Sequence, residues 1–408
     1  MMMHQQNTIL KILIIEDSLY GHHLNYLRLT SQILAGNGYD CTLLTSEKHR
    51  NAMEVHCQEL EVSEIIFLPE LKGLMAMIGK LRIGIIDQFV FWFRLKRNLA
   101  SVLARTGAEH IWFSYFDGIL HAWGTLGDPL PSSTTCSGLF IRQFSGLEQS
   151  GIPICGTAKG LKNFLFMKFL MSEKIKSVCT ILEPVCKYLK QTNSTLNRKI
   201  SYTPDPVRLP IKMSRSEALN RLSIKDARVI VMLYGMVCAR KGVYELLDAL
   251  KSEYWPEAAC VVCAGPLDDD VRIAILQNYA GLIADGKLQV VDRFLRGVDE
   301  DAVFASTDMM WIGYKNFNGN SAVLLQSVAC GIPVIAKKHG MIGAYMQEHP
   351  ACGIVLESLE AIAICQAVKS HVQSALIVPK EEMNHALENY SEHVFQEGLL
   401  ECIRKANS

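Results

Sequence analysis

Short runs of β-branched and aliphatic residues alternate with amphipathic stretches along almost the whole chain, and this alternation limits the available folds more than any other feature. Strands that follow one another through helices pair in parallel and are covered on both faces, so they read as near-continuous apolar runs. In the first half the runs are Lys11–Ile15, Cys41–Thr45, Ile65–Leu68, Ile111–Tyr115, Leu139–Arg142 and Val178–Leu182. A helical period through Leu24, Leu27, Ile33 and Leu34 follows the first run, and a long helical stretch covers about Gly73 to Arg105. Two prolines in Tyr202-Thr203-Pro204-Asp205-Pro206 interrupt the pattern, which restarts at Arg228. It then gives strands at Val229–Tyr234, Ala258–Ala264, Leu288–Val291, Met309–Ile312 and Pro333–Ala336, separated by helices, one of them running to about Ala284. The expected organisation is α/β, with two doubly wound, Rossmann-like domains over residues 1–205 and 206–383. A final helical pattern over 384–408, with Leu387, Tyr390, Val394 and Leu399 on one side, is expected to pack back on the first domain.

At 408 residues the chain suits two such domains. Lys plus Arg equals Asp plus Glu at 41 each, so no global field gathers polyanions and nucleic acid is not an expected partner. The 13 cysteines are odd in number and lie mostly in apolar runs, which points to reduced core thiols and a cytoplasmic site. Cys260 and Cys263 have zinc-knuckle spacing, but they sit in a strand whose side chains alternate between faces, so no metal is expected. The apolar run Ile9–Ile15 is broken by Lys11 and lacks a small-residue cleavage site, which argues against a secretory signal.

Ligands of open α/β sheets bind beyond the carboxyl ends of the strands, so the loops there carry the functional candidates. Gly21-His22-His23 follows the first strand and either caps a helix or offers amides and imidazoles to a ligand. Gly235 to Gly242 (GMVCARKG) opens a helix at Val243, which places Arg240 and Lys241 where two cations meet a pyrophosphate. Phe317-Asn318-Gly319-Asn320-Ser321 leads into another helix. Gly319 there permits close backbone approach, Ser321 can cap, and free amides behind it suit a phosphate. Asp117 and His121, in SYFDGILHAWG, either cap and pack or orient a substrate hydroxyl. Arg142 either meets an anionic acceptor group or forms a structural ion pair.

The stretch SAVLLQSVACGIPVIAKKHGMIG resembles the signature of the retaining family 4 glycosyltransferases: a Glu, seven residues, a second Glu, a small-residue helix end, Gly, a Pro-Val strand and another Gly. GMVCARKGVYELLDAL resembles the same family's phosphate-binding turn, and both blocks lie between Arg228 and about Gly353. The resemblance implies a GT-B fold whose two domains face a cleft, with the nucleotide-sugar donor in the second and the acceptor, a glycan or lipid-linked saccharide, mostly in the first. It implies that Lys241 and Arg240 neutralise the donor pyrophosphate, with Gly21, His22 and Gly235 forming turns around the donor. Asp117 and His121 would then lie across the cleft, and Arg293 would line the nucleotide pocket or the surface. The two signature carboxylate positions fall at Asn318 and Gln326, both amides here, while the Arg that usually follows the first Gly is Met236. In the family those carboxylates contact the transferred sugar and the ribose hydroxyls, respectively.

The implied chemistry is transfer with retention, needing no metal or cofactor, in which the departing phosphate takes the acceptor proton and the protein positions groups and stabilises charge. A partner subunit of the same fold that binds donor without turnover is the rival reading, while an epimerase would need an acid and base set that is not apparent. Basic and aromatic residues mix over Lys72–Arg105 (Lys80, Arg82, Phe89, Phe91, Trp92, Phe93, Arg94, Lys96, Arg97) and Lys159–Lys176 (five lysines with Phe164, Phe166, Phe169, Met171). Such stretches suit either a membrane surface, as in polysaccharide biosynthesis at the inner face of a membrane, or ordinary amphipathic core helices.

Overall fold

The computed structural model describes residues 10–19, 23–71, 84–144, 146–154, 159–208, 212–226 and 229–407. They separate into two units, each with its own sheet. Unit 1 holds the described residues within Met1–Gly146, Thr157–Pro204 and Phe395–Ser408, and unit 2 those within Leu147–Gly156 and Asp205–Val394.

The strands of unit 1 are β1 (Lys11–Ile15), β2 (Asp40–Ser46), β3 (Glu64–Leu68), β4 (His110–Phe113), β5 (Cys136–Phe140), β6 (Ile175–Thr180) and β7 (Ile200–Tyr202). They pair in parallel in the order β3-β2-β1-β4-β5-β6-β7, so the chain reverses direction across the sheet between β1 and β4. Ile12 to Ile15 are all buried, as a strand covered on both faces requires. Unit 2 follows the same plan with β8 (Val229–Tyr234), β9 (Ala259–Ala264), β10 (Leu288–Val291), β11 (Met309–Ile312), β12 (Val334–Lys337) and β13 (Gly353–Leu356), ordered β10-β9-β8-β11-β12-β13. Its switch point lies between β8 and β11, where Met309 pairs with Val231 and Met310 with Met232. On β9, Cys260 packs into the core on one face of the sheet and Cys263 into the core on the other.

Several elements differ from the sequence expectation. The strand expected at Leu139–Arg142 is Cys136–Phe140. Its Cys-Ser-Gly start carries little strand signal, yet a Cβ on Gly138 would fall 2.4 Å from the Phe113 carbonyl and 2.6 Å from the Phe116 ring. That gap lets Phe116 enter a cluster with Phe113, Trp123, Phe140 and Phe169, whose ring centroids lie 4.8 to 6.4 Å from its own. β7 and β13 are edge strands beyond the expected set: β7 is only three residues long, and the Ile354–Leu356 run of β13 is mostly half-buried. The long stretch from Gly73 is a helix over Gly84–Thr106, and its earlier part lies outside the described residues. The helix to about Ala284 is two, Asp269–Asn278 and Ala280–Ala284. The pattern over 384–408 is also two helices, Lys380–Tyr390 and Glu392–Asn407, parted at Ser391 where Val207 forms a parallel bridge. The second packs on unit 1. Thr203 donates to the Phe395 carbonyl, and a Cβ on Gly398 would sit 2.6 Å from the Tyr202 carbonyl. Among the described residues no helix is long and apolar enough to cross a membrane.

Gly138→Ala forces a methyl into the Phe113 carbonyl and the Phe116 ring. It is expected to destabilise unit 1 by about 1–3 kcal/mol, read as an earlier denaturant midpoint for that unit.

Candidate functional site

The pairing of β8 with β11 brings the two motif-bearing loops of unit 2 side by side. Gly235 leaves β8 at φ +89°, and its N–H donates to the Ala264 carbonyl at 2.9 Å. The turn closes at Gly242, also left-handed at φ +69°, where a Cβ would lie 2.3 Å from the Gly313 carbonyl just past β11. Gly242 is therefore fixed by conformation and by contact. Trp311 Nε1 donates to the Lys241 carbonyl at 2.8 Å and the Lys315 N–H to the Arg240 carbonyl at 2.7 Å, stitching the loops together.

The turn ends as the helix Val243–Lys251 begins, so Arg240 and Lys241 stand at its amino end. Arg240 is exposed, its guanidinium 5.0 Å from the Phe317 ring centroid and 5.5 Å from that of Tyr314. Lys241 is only 6% exposed. Its ammonium donates to the Tyr234 carbonyl and lies 5.6 Å from the Tyr314 ring centroid. A Cβ on Gly235 would come within 2.7 Å of it. Among the described residues neither cation has a carboxylate within ion-pair distance, whereas Arg208, Arg215, Arg272, Arg293, Lys315 and Lys338 of the same unit all do. Three ammonium protons with one acceptor leave Lys241 short of partners in a desolvated place.

The second loop ends at Ser321, whose hydroxyl accepts from the Leu324 N–H at 3.3 Å and caps the helix Ala322–Ala329. Asn318 is buried, with Oδ1 3.1 Å from His339 Nε2, and its carbonyl accepts from the Met341 N–H at 3.1 Å. Burial and Lys337 hold the His339 pKa below its usual value, which favours the neutral ring. Gly319 is buried and Asn320 half-buried between these anchors. The loop after β12 is thus tied to the one after β11.

Gln326 does not extend an empty amide. Its carbonyl accepts from the Arg208 N–H at 3.1 Å and its NH2 donates to the Arg208 carbonyl at 3.0 Å, so both ends are matched to one backbone position. Arg208, which no sequence motif marks, reaches Glu300 at 3.1 Å and Asp301 at 2.5 Å. Glu300 also accepts from the Tyr234 hydroxyl at 2.9 Å. Arg293 is paired with Asp299, which also holds Arg221 at 2.5 Å, so its charge is taken up within the unit.

In unit 1, Gly21 and His22 lie outside the described residues. His23 is buried, 3.3 Å from the buried carboxylate of Glu16, with its ring edge-on to Tyr115 at 4.3 Å. Asp117 spends its two oxygens on the Ile141 and Arg142 N–H groups at 2.9 and 3.2 Å, clipping its turn to the end of β5. Desolvation pushes its pKa up to about 6 against the pull of those donors. Backbone capping, one of the two roles open to Asp117 from the sequence, is thus occupied, through β5 rather than a helix. His121 Nδ1 lies 3.1 Å from Gln88 Oε1, which fixes Nδ1 as the donor and leaves Nε2 as an acceptor. Burial and Lys162 lower its pKa and favour that neutral form. Gln88 carries no local signal because its partner lies 33 positions away, while Glu16, close in sequence to its partners Ser18 and His23, sits just past β1 in no recognisable motif.

No family model matches the chain, and no curated protein does. Solved structures do. The chain is similar to sucrose-phosphate synthase from Thermosynechococcus elongatus at TM-score 0.67 and 15% identity, over 98% of this chain and 100% of that one. It is similar to Anabaena HepE in complex with UDP-glucose at TM-score 0.67 and 12% identity, over 97% and 99%. The fold is GT-B. A third structure, the catalytic domain of starch synthase IV from Arabidopsis thaliana bound to ADP and acarbose, matches at TM-score 0.62 and 9% identity, over 98% and 100%.

Gln326→Glu replaces a donor facing the Arg208 carbonyl with a carboxylate oxygen. The expected cost is about 1–3 kcal/mol at about pH 8, and the adjoining cavity of about 450 Å³ can admit water and favours the lower end. Because a protonated Glu can donate, the folded-state pKa of the new group rises. The deficit is then full above that pKa and shrinks as the pH falls towards about 4. Denaturant midpoints of both proteins across that range check it.

Proposed function

We propose that the chain transfers a sugar, with retention and without a metal, from a nucleoside-diphosphate donor held by unit 2 to a glycan or lipid-linked saccharide acceptor served by unit 1. The observation that carries the reading is Lys241, a buried ammonium with a carbonyl acceptor and, among the described residues, no counter-charge, beside Arg240, which likewise has none, at a helix amino end. Those groups suit a diphosphate, and their charge can stabilise the leaving group as the anomeric bond stretches. The bound UDP-glucose and ADP of the structural neighbours support that choice of ligand. Ser321 and the amides behind it would add donors to the phosphates or sugar. In unit 1, His121 presents Nε2 as an acceptor, suited to orienting an acceptor hydroxyl.

A second reading, a donor-binding partner without turnover, is favoured by one observation. Asn318 and Gln326 stand at the two carboxylate positions of the resemblance, and both are already engaged with His339 and Arg208. Titration with UDP-, GDP- and ADP-sugars, followed for sugar release, separates the two. Binding with turnover supports transfer, binding alone supports the partner, and no binding rejects the site. Lys241→Ala is expected to lower turnover by about two orders of magnitude or more, the range for losing one charge stabiliser at a reacting centre. Unchanged turnover in the folded variant would remove Lys241 from the site.

The basic aromatic stretches divide unequally in the structure. Phe91, Trp92, Arg94, Phe166 and Phe169 are core residues, so they are lost to any membrane surface, and Lys80 and Arg82 lie outside the described residues. Leu161, Phe164 and Met171 are exposed beside Lys162 and Lys168, and Phe93 beside Lys96 and Arg97. This smaller set supports peripheral contact with an anionic membrane, in keeping with a lipid-linked acceptor and a cytoplasmic site. Sedimentation with anionic liposomes at low salt, reversed by added salt, is expected; equal recovery in the supernatant at every salt rejects it.

A further inference from the structure

The proposed donor carries a ribose, whose vicinal hydroxyls are two adjacent donors that suit the paired oxygens of a carboxylate. Among the described residues, the side-chain carboxylates of Glu245, Glu300 and Asp301 are linked to the phosphate turn of unit 2 through Lys315, Tyr234 and Arg208. Glu245 is bound to Lys315 at 2.5 Å, and its Oε2 is closed off from solvent. Asp301 has a side chain only 2% exposed and is held by Arg208. Glu300 differs from Asp301 in being open to a ligand, its side chain 31% exposed, and from Glu245, itself 27% exposed, in having neither oxygen taken by a lysine and neither closed off without a partner.

Glu300 is also held at both ends. The Tyr234 hydroxyl donates to Oε1 at 2.9 Å and Arg208 to Oε2 at 3.1 Å, and each oxygen keeps a further lone pair. Tyr234 is the residue before Gly235, and its backbone carbonyl is the acceptor of the Lys241 ammonium. One residue therefore joins the cation proposed to meet the diphosphate to the carboxylate at issue. Arg208 closes the other side, with its backbone locked by Gln326. Gln326 is spent on that lock and offers the hydroxyls no carboxylate.

We infer that Glu300 is the ribose acceptor of the donor site, a specificity-determining residue that distinguishes ribonucleotides from their deoxy forms, with Tyr234 and Arg208 as its positioning residues. The inference rests on the donor reading of unit 2. It is tested by calorimetric titration of the full chain with UDP, ADP and GDP and with the 2′,3′-dideoxy form of each. The wild type is expected to prefer the ribo form about tenfold or more, as for hydrogen bonds to a charged group. E300Q is expected to narrow that preference to about twofold with dideoxy affinity unchanged, which also shows that the variant is folded. Y234F, which frees Oε1 without removing the carboxylate, should fall between them. Should E300Q fail to fold, Y234F decides, and a wild-type preference in Y234F overturns the inference. A wild type that binds diphosphates without preferring ribose, or an E300Q that keeps the full preference, overturns the ribose assignment alone. No binding of any diphosphate overturns it together with the donor reading.

Discussion

The parallel pairing of β8 with β11 is the contact on which the candidate site depends. It sets the carboxyl ends of two strands side by side and presses Gly242 against the Gly313 carbonyl, so no side chain can stand at 242. Residues separated by about 70 positions thereby meet, and the Trp311 indole holds the Lys241 carbonyl from beneath the turn. The same closeness turns Lys241 inward. Burying an ammonium with one neutral acceptor costs stability, and an anion bound there would return it, linking ligand binding to the folding of this unit.

In unit 1 the corresponding constraint is aromatic. Phe116 fills a space that Gly138 leaves, and the adjacent Asp117 accepts from the two N–H groups at the end of β5. That places a desolvated carboxylate at the carboxyl end of an interior strand by packing and not by charge pairing, which is why its pKa moves up. His121 is set differently, by one glutamine that fixes its tautomer and leaves the other nitrogen available.

Much of this architecture could be read from the chain because strands covered on both faces advertise themselves as apolar runs, and the glycines of GMVCARKG mark a turn after such a run. The signals failed where packing overrides composition. Cys136–Phe140 is a strand in which a small residue, Gly138, leaves room for neighbouring rings, and the three-residue edge strand β7 is too short to show a period. At the candidate site, local pattern pointed to Arg240, Lys241 and Ser321 because each lies within a few residues of a glycine or a helix start. It could not point to Arg208 or Glu300, whose partners are remote in sequence, nor show that Gln326 is matched to a backbone carbonyl and N–H 118 positions away. The aromatic residues of Gly84–Thr106 and Lys159–Leu170 fit core and surface roles equally until packing assigned most of them to the core.

Unit 1 contains both ends of the described chain, and its last piece is the helix segment from Phe395 whose Gly398 fits against Tyr202. During ribosomal synthesis its seven strands emerge first, yet the Ser177 hydroxyl, which meets Ser137 within the sheet, gains its bond to the Cys402 carbonyl only once the helix segment from Phe395 is made. All of unit 2 is made in between. The unit that starts first is thus completed last, and the nascent chain must carry an unfinished apolar surface past the full length of its neighbour, a period in which chaperone contact would matter more than for the finished protein.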